Sequence, residues 1–189
     1  MTALMMPEPD RKTLDMRAEI VAQLREIVPG EGVVDTTNGM RVFESDGLTA
    51  YRQLPMVVVL PETVQQVSRI LKYCQRENIR VVPRGSGTSL SGGALPLADA
   101  VLLVMSRFNR ILDVDLANRT VTAQPGVTNL GITRAVEAQG FYYAPDPSSQ
   151  IACSIGGNVA ENSGGVHSLK YGLTAQNVLG VEVVLINGD

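Results

Sequence analysis

The residues best able to do chemistry in this chain gather in two glycine-rich segments, residues 83–94 (PRGSGTSLSGGA) and residues 145–165 (PDPSSQIACSIGGNVAENSGG). Each sets glycines among small hydroxyl residues. Glycine lets the main chain take left-handed conformations and leaves N–H groups unshielded, which is how a segment poor in positive charge grips a pyrophosphate. Two such segments in one chain point to a dinucleotide. The common phosphate signatures do not fit. Gly87-x4-Gly92 runs on to Gly93-Ala94, where a Walker loop needs Lys and then Ser or Thr to reach the phosphates and magnesium, and the spacing G-x-G-x-x-G is absent. What remains is a phosphate cradle built from main-chain dipoles and serine hydroxyls.

The other reactive side chains are sparse. His167 is the only histidine and reads as a structural residue or a polar neighbour of a bound ring rather than a base. Cys74 and Cys153 have no metal-ligand spacing and read as free thiols in a reducing compartment. Arg84, at the head of the first segment, is placed equally well to pair with a phosphate or to stand in solvent. Asp113, Asp115, Glu161 and Glu182 have no spacing that demands metal or acid–base duty.

The elements that must position the segments alternate between helix and strand. Residues 10–27 put Leu14, Ala18, Val21, Leu24 and Ile27 on one face, which predicts an N-terminal helix, an appendage ending near Pro29-Gly30. MVVVL, residues 56–60, is an apolar run suited to a sheet covered on both faces. Thr63-x-x-Gln66 is a capping box, and Val64, Val67, Leu71 and Cys74 follow at helical spacing. A strand over residues 79–82 completes β-α-β where the first glycine segment begins. That puts the segment at the carboxyl end of a parallel strand, the usual ligand position in open α/β sheets. Residues 101–105 read as another buried strand. Residues 112–115 and 120–123 alternate polar with apolar and predict an antiparallel hairpin with one wet face, which makes the sheet mixed. A helix is predicted from its N-cap Thr128 to Gln139, closed by Gly140.

Residues 181–186 predict a final strand. Asn187-Gly188 is a hairpin-turn signal followed only by Asp189, so the chain reads as truncated at the C-terminus, with an unpaired edge that leaves folding incomplete. The fold class is α+β, two small α/β subdomains with mixed sheets and the nucleotide between them. Residues 1–50 form an N-terminal helical extension and loop, and residues 51–189 the nucleotide-binding domain.

Composition excludes several classes of function. With 189 residues, 44% hydrophobic and 19% charged, the chain can bury one good core. A net charge of −3 argues against nucleic acid as a partner, since phosphate backbones reward clustered Lys and Arg. The longest apolar runs, residues 56–60 and 101–105, are too short to span a bilayer, and MTALMMPEPDRK has neither the basic start nor the apolar core of a secretion signal. The expectation is a cytoplasmic protein without a transmembrane segment.

The two segments also carry a family resemblance. PRGSGTSLSGGALP and APDPSSQIACSIGGNVAENSGGVHSLKYGLTAQNVLGVEVV resemble the PCMH-type FAD-binding domain of the vanillyl-alcohol oxidase and p-cresol methylhydroxylase superfamily. Within it the chain is most similar to the flavin subunits of bacterial glycolate oxidases, from about Phe43 to the last residue. The resemblance implies FAD as cofactor. It implies non-covalent attachment, because the first segment has no histidine where distant members link the flavin. Some remote relatives use a nearby cysteine as a second link, against which Cys153 reads as a small buried thiol.

By the same resemblance, the N–H groups of Gly85, Ser86, Gly87, Thr88 and Ser89 take the diphosphate, with Gly92 and Gly93 permitting close approach. The Pro145-Asp146-Pro147 turn with Ser148, and residues 152–157 with Ala152 and Ser154, line the isoalloxazine and ribityl side. Gly156, Gly157, Asn162, Gly164 and Gly165 shape a second wall, and Val181 meets the adenine through its main chain. Where relatives often read Gly-Thr-Gly, this chain reads Gly87-Thr88-Ser89, which predicts an ordinary φ at Ser89.

The implied activity is oxidation of a small 2-hydroxy acid, glycolate to glyoxylate or D-lactate to pyruvate, with hydride passing to flavin N5. The implied partners are an iron–sulfur subunit and a second flavin-type subunit of a glycolate oxidase complex, which place the protein peripherally at the inner membrane. Catalytic residues and any metal ligands fall outside these residues. Two other readings stay open, a non-catalytic FAD-carrying subunit and a flavoenzyme similar to UDP-N-acetylenolpyruvoylglucosamine reductase. The length of the second segment speaks against the latter.

Overall fold

The helical pattern of residues 10–27 folds as two helices. In the computed structural model, which describes residues 6–189, α1 (Arg11–Asp15) is capped by the Asp10 carboxylate, which accepts from the Lys12 N–H, and α2 (Arg17–Ile27) follows a break at Met16. The break shifts the helical phase. Ile20, Val21, Leu24 and Ile27 are buried, while Ala18, expected on the apolar face, is exposed.

The chain divides into two compact units, residues 6–104 with 184–189, and residues 105–183. The first unit continues through β1 (Val33–Val34), α3 (Thr37–Met40), β2 (Val57–Val59), α4 (Val64–Arg76), β3 (Arg80–Arg84) and β4 (Ala100–Val104). The strands form one sheet in the order β1-β2-β4-β3. Val58 and Val82 both pair with Leu102 in parallel register, and β1 runs antiparallel to β2. Every residue of β2 and β4 is buried, as an apolar run covered on both faces requires. Val58, Val82, Ala100, Leu102 and Val104 pack with Met40 into a core on one face. α4 opens with the full capping box, Thr63 and Gln66 each serving the other's main chain, and packs on α2. Pro83 lies in β3, an edge strand, where its missing N–H breaks no ladder.

The second unit holds the hairpin of β5 (Ile111–Asp115) and β6 (Thr120–Ala123), which pairs Val114 with Val121. No residue of either strand is fully buried, and Leu112 is exposed beside Asp113 where the register shifts between Ile111 and Asp113, so the hairpin lacks the single wet face expected of it. The hairpin is a separate two-stranded sheet, and the mixed character of the larger sheet comes from β1 instead. α5 (Asn129–Val136) begins at Thr128, whose hydroxyl accepts from the Gly131 N–H, and the helical path closes at Gly140 with φ 81°. α6 (Ile155–Glu161) and α7 (Ser168–Tyr171) follow.

One expected element is not formed. Residues 181–186 make no strand, and Val181, Val183, Leu185 and Ile186 are exposed. A strand exists only by pairing, and among the described residues no main chain pairs with this segment in a ladder. The Asn187-Gly188 signal is used in a turn that brings the Gly188 N–H to the Leu185 carbonyl at 2.7 Å. Among the described residues no helix is long and apolar enough to cross a membrane.

Candidate cofactor-binding site

β3 delivers the first glycine segment to the carboxyl end of the parallel strands, the ligand edge of such sheets. Gly87 and Gly92 take positive φ, 71° and 79°, and Ser89 does not, so the serine that replaces glycine there fits without strain. Among the described residues, the main-chain N–H groups of Ser86, Gly87, Thr88 and Ser89 have no acceptor. The loop is held at other points, by the Ser91 N–H on Ser89 Oγ at 3.0 Å and the Leu95 N–H on the Gly92 carbonyl at 3.1 Å.

Its orientation follows from Gly47, an exposed residue so close that a Cβ there would meet the Thr88 and Ser89 carbonyl oxygens at 2.6 and 2.8 Å. Those carbonyls therefore face Gly47, and in a trans peptide the N–H points the opposite way. The amides of Ser89 and Leu90 turn away from Gly47. Gly93 has neither a positive φ nor any atom within 4 Å of where a Cβ would stand, so nothing inside the described chain requires a glycine there.

Arg84 does not stand in solvent. It is 7% exposed, and its Nη1 donates to the Ala94 carbonyl at 3.0 Å while the guanidinium lies 5.9 Å from the centre of the Phe43 ring. The inward turn follows from the carbonyls and the ring that satisfy it there, which solvent would otherwise have to replace. Burial pushes its pKa below the usual arginine value, with the Asp46 carboxylate opposing.

The second segment is organised differently. The Ala152 and Cys153 N–H groups both donate to the Ser149 carbonyl at 2.8 Å, and the Gln150 N–H donates to Pro147 at 2.8 Å. Read from sequence as loop, it contains α6, whose first N–H groups are taken by distant main chain, Ile155 on Val127 and Gly156 on Pro125, each at 2.8 Å. Gly157 N–H has no acceptor among the described residues. A Cβ on Gly156 would stand 2.7 Å from Pro125 Cβ, and one on Gly165 would overlap the Asp146 carbonyl. Asn162 ends α6 at φ 51° and accepts from the Ala175 N–H through Oδ1 at 2.9 Å. Ser148 and Ala152 are exposed, Pro147 and Ser154 are buried, and Gly164 packs against Leu173 and Ser168. Val181 stands outside any regular element and is exposed.

Three buried polar side chains accompany these glycines. Asn129 Oδ1, Ser154 Oγ and Asn158 Nδ2 have no partner among the described residues. Asn129 and Asn158 were not singled out from sequence, and only their adjacency to the Thr128 cap and to Gly156-Gly157 marked them.

His167 Nδ1 lies 2.6 Å from Asp146 Oδ2, tying residue 167 to the Pro145-Asp146-Pro147 turn, and stands 6.4 Å ring to ring from Tyr171. Tyr142 meets Tyr171 edge to face at 6.3 Å, and Lys170 Nζ lies 4.9 Å from the Tyr171 ring centre. Partial burial works to raise the Asp146 pKa, but hydrogen bonds from the His167 main chain and ring outweigh it and hold the carboxyl below the usual range. The pairing thus favours the folded state above the ordinary carboxylate pKa of about 4 and is lost as pH falls through the lower folded value. A carboxyl-resolved NMR titration should find Asp146 below the usual value, and His167→Ala should move the midpoint upward. An unmoved midpoint would show that the pair does not govern this carboxylate.

Both thiols are buried and free, and burial pushes Cys74 up to about 12. Among the described residues no three His, Cys, Asp or Glu side chains gather in a way that could hold a metal.

Residues 55–189 match the FAD binding domain family. The chain belongs to that family. This FAD-binding chain is 56% identical over 173 residues to glycolate oxidase subunit GlcD of Escherichia coli (strain K12), covering 92% of this chain and 35% of that protein. It is 43% identical over 171 residues to glycolate oxidase subunit GlcD of Bacillus subtilis (strain 168), covering 90% and 36%. It is 34% identical over 168 residues to the mitochondrial D-2-hydroxyglutarate dehydrogenase of Bos taurus, covering 89% and 31%. The chain thus spans about a third of the length of these curated relatives. The solved structure of p-cresol methylhydroxylase with substrate bound matches with a TM-score of 0.81 at 20% identity, covering 99% of this chain and 36% of that one, which establishes the PCMH-type fold.

The cofactor is FAD, and the donor set of the first segment fits it. Amides without an acceptor among the described residues, beside a glycine with no internal reason to be one, suit a diphosphate, and hydrogen bonds to such charged groups are worth about 1.5 to 3 kcal/mol each.

Proposed function

We propose that the whole protein oxidises a small 2-hydroxy acid, glycolate to glyoxylate or D-lactate to pyruvate, as the flavin subunit of a glycolate oxidase complex. The kinship with the two GlcD proteins supports the substrate class. The observation that carries the cofactor role is the run of amides from Ser86 to Ser89, without an acceptor among the described residues, at the end of β3.

When bound, FAD supplies the acceptor for the hydride that leaves the carbinol carbon. The chain's own residues bind and orient it. Gly85, Ser86, Gly87, Thr88 and Ser89 hold the diphosphate by main-chain N–H groups, while Gly92 and Gly93 let it come close. Pro147, Ser148, Ala152 and Ser154, with Gly156 and Gly157 at the start of α6, border the isoalloxazine and ribityl chain. Asn162, Gly164 and Gly165 shape the far wall, and Val181 meets the adenine. FAD is held without a covalent bond. Residues 51–189 make up the FAD-binding domain, the extension over 1–50 packs into its first unit through β1, α2 and Met40, and the base that takes the hydroxyl proton comes from the part of the relatives' length this chain does not span. An iron–sulfur subunit and a second flavin-type subunit pass the electrons on and place the protein peripherally at the inner membrane.

The test uses the full-length protein. It should purify yellow, release its flavin on denaturation, and lose flavin absorbance anaerobically with glycolate or D-lactate. Flavin that neither acid bleaches would make the protein a non-catalytic carrier, and bleaching by NADPH alone would make it a reductase.

A further inference from the structure

Beneath the first glycine segment lies a charge that no phosphate-loop signature contains. We propose that Arg84 is the positioning residue of this loop, a buried cation that ties its two ends together from below and keeps the amides of residues 86–89 aimed at the diphosphate without touching the ligand. The inference rests on the reading that this loop takes the FAD diphosphate.

The geometry has three parts. Arg84 is the last residue of β3, its main chain fixed by pairing with Val104, and its side chain turns under the loop to reach the Ala94 carbonyl at 3.0 Å. One guanidinium thus spans the loop from the residue before it to the residue after it. The same Nη1 lies 3.5 Å from the Phe43 carbonyl, so the clasp is also pinned to the segment that precedes Gly47. Second, the loop drapes over the guanidinium. A Cβ on Gly87 would overlap Arg84 Nη2 and stand 2.7 Å from Nε, so glycine is needed at 87 for the cation beneath it as well as for its φ of 71°. Third, Gly47, in the segment the clasp pins through Phe43, lies against the Thr88 and Ser89 carbonyls and limits how those peptides can turn.

Chemistry distinguishes arginine from lysine at this place. The guanidinium carries five donors in a rigid planar fork and stays charged when buried, so it can serve carbonyls and lie over an aromatic ring at once. An ammonium on a flexible stem offers charge but no fixed plane. In a Walker loop the lysine reaches the phosphates from the ligand side, whereas here the charge acts from within the protein, where a lower dielectric strengthens its pull on an anion beyond the amides. Asp46, buried with Oδ2 unpartnered among the described residues, raises the Arg84 pKa and helps keep it protonated.

The test compares FAD with riboflavin, which lacks the diphosphate, on the full-length protein and its Arg84→Met and Arg84→Lys variants. Wild type should hold FAD far more tightly than riboflavin. Arg84→Met should weaken FAD about thirtyfold and Arg84→Lys about tenfold, with riboflavin within about twofold of wild type for both. Should the methionine variant fail to fold, the lysine variant carries the comparison. Equal loss for both ligands, no loss for either, or full FAD affinity in the lysine variant would overturn the clasp. A wild type that prefers FAD no more than riboflavin would overturn the diphosphate reading itself, and the clasp with it.

Discussion

Gly87→Ala is expected to raise the FAD dissociation constant about a hundredfold while β2, β3 and β4 stay folded, because it misdirects charge-assisted hydrogen bonds worth about 1.5 to 3 kcal/mol each. Two costs converge on one methyl group. Alanine at φ 71° costs about 1 to 2 kcal/mol by its own backbone sterics. The added Cβ also lands on the Arg84 guanidinium, which must give up its place under the loop and with it the bond to the Ala94 carbonyl. The side chain is long enough to move, so the sheet survives, but the loop loses its underpinning.

Neighbouring glycines separate the two costs. Gly92 has φ 79° and nothing within 4 Å of a Cβ, so Gly92→Ala meets only the backbone term, and Gly93→Ala meets neither. Urea denaturation should rank them Gly87, Gly92, Gly93 in falling order of destabilisation. Fluorescence titration with FAD should still show a loss for Gly93→Ala, since no described residue stands near that methyl and the ligand would. A Gly87→Ala protein that binds FAD like wild type would remove the first segment from the site.

How far the sequence could be read depends on how local each cause is. Thr63 and Gln66 cap α4, and Thr128 and Gly140 bound α5, through bonds that span a few residues, so the pattern and the structure agree there. The apolar runs of β2 and β4 were equally plain, because burial on both faces leaves no alternation to misread. α6 was hidden for the opposite reason. Its first turn carries Gly156-Gly157, poor helix formers, and Ser154 makes no side-chain cap, so the helix start depends on carbonyls at Pro125 and Val127. Arg84 shows the same limit at the site. Its surroundings include Phe43 and Asp46, some forty residues upstream, which no local pattern in residues 83–94 could bring to it. The failure of residues 181–186 to form a strand is also non-local, since β propensity is realised only against a partner.

A larger loss is expected from Gly165→Ala, because here the obstruction is main chain. A Cβ at 165 would overlap the Asp146 carbonyl and stand 2.5 Å from Asp146 Oδ1. Asp146 cannot retreat. Pro145 and Pro147 on either side are buried, the Pro145 carbonyl accepts from Asn129 Nδ2 at 2.9 Å, and His167 holds the carboxylate. Residue 165 is tied as well, its N–H on Ser168 Oγ at 2.9 Å and its carbonyl accepting from the Ser168 N–H at 3.1 Å. Overpacking of this kind costs about 3 kcal/mol or more, at the upper end for an inserted methyl.

Gly164→Ala gives the comparison, since its Cβ would meet only the side chains of Leu173 and Ser168, which can swing aside. The two large effects should also differ in kind. Gly87→Ala acts on the part of the site assigned to the diphosphate and should spare riboflavin. Gly165→Ala should weaken FAD and riboflavin together and return the Asp146 titration to the ordinary carboxylate range. If Gly165→Ala keeps both its riboflavin affinity and its wild-type stability, the turn at Asp146 does not border the flavin ring and the close approach of residues 146 and 165 is not a feature of the folded protein.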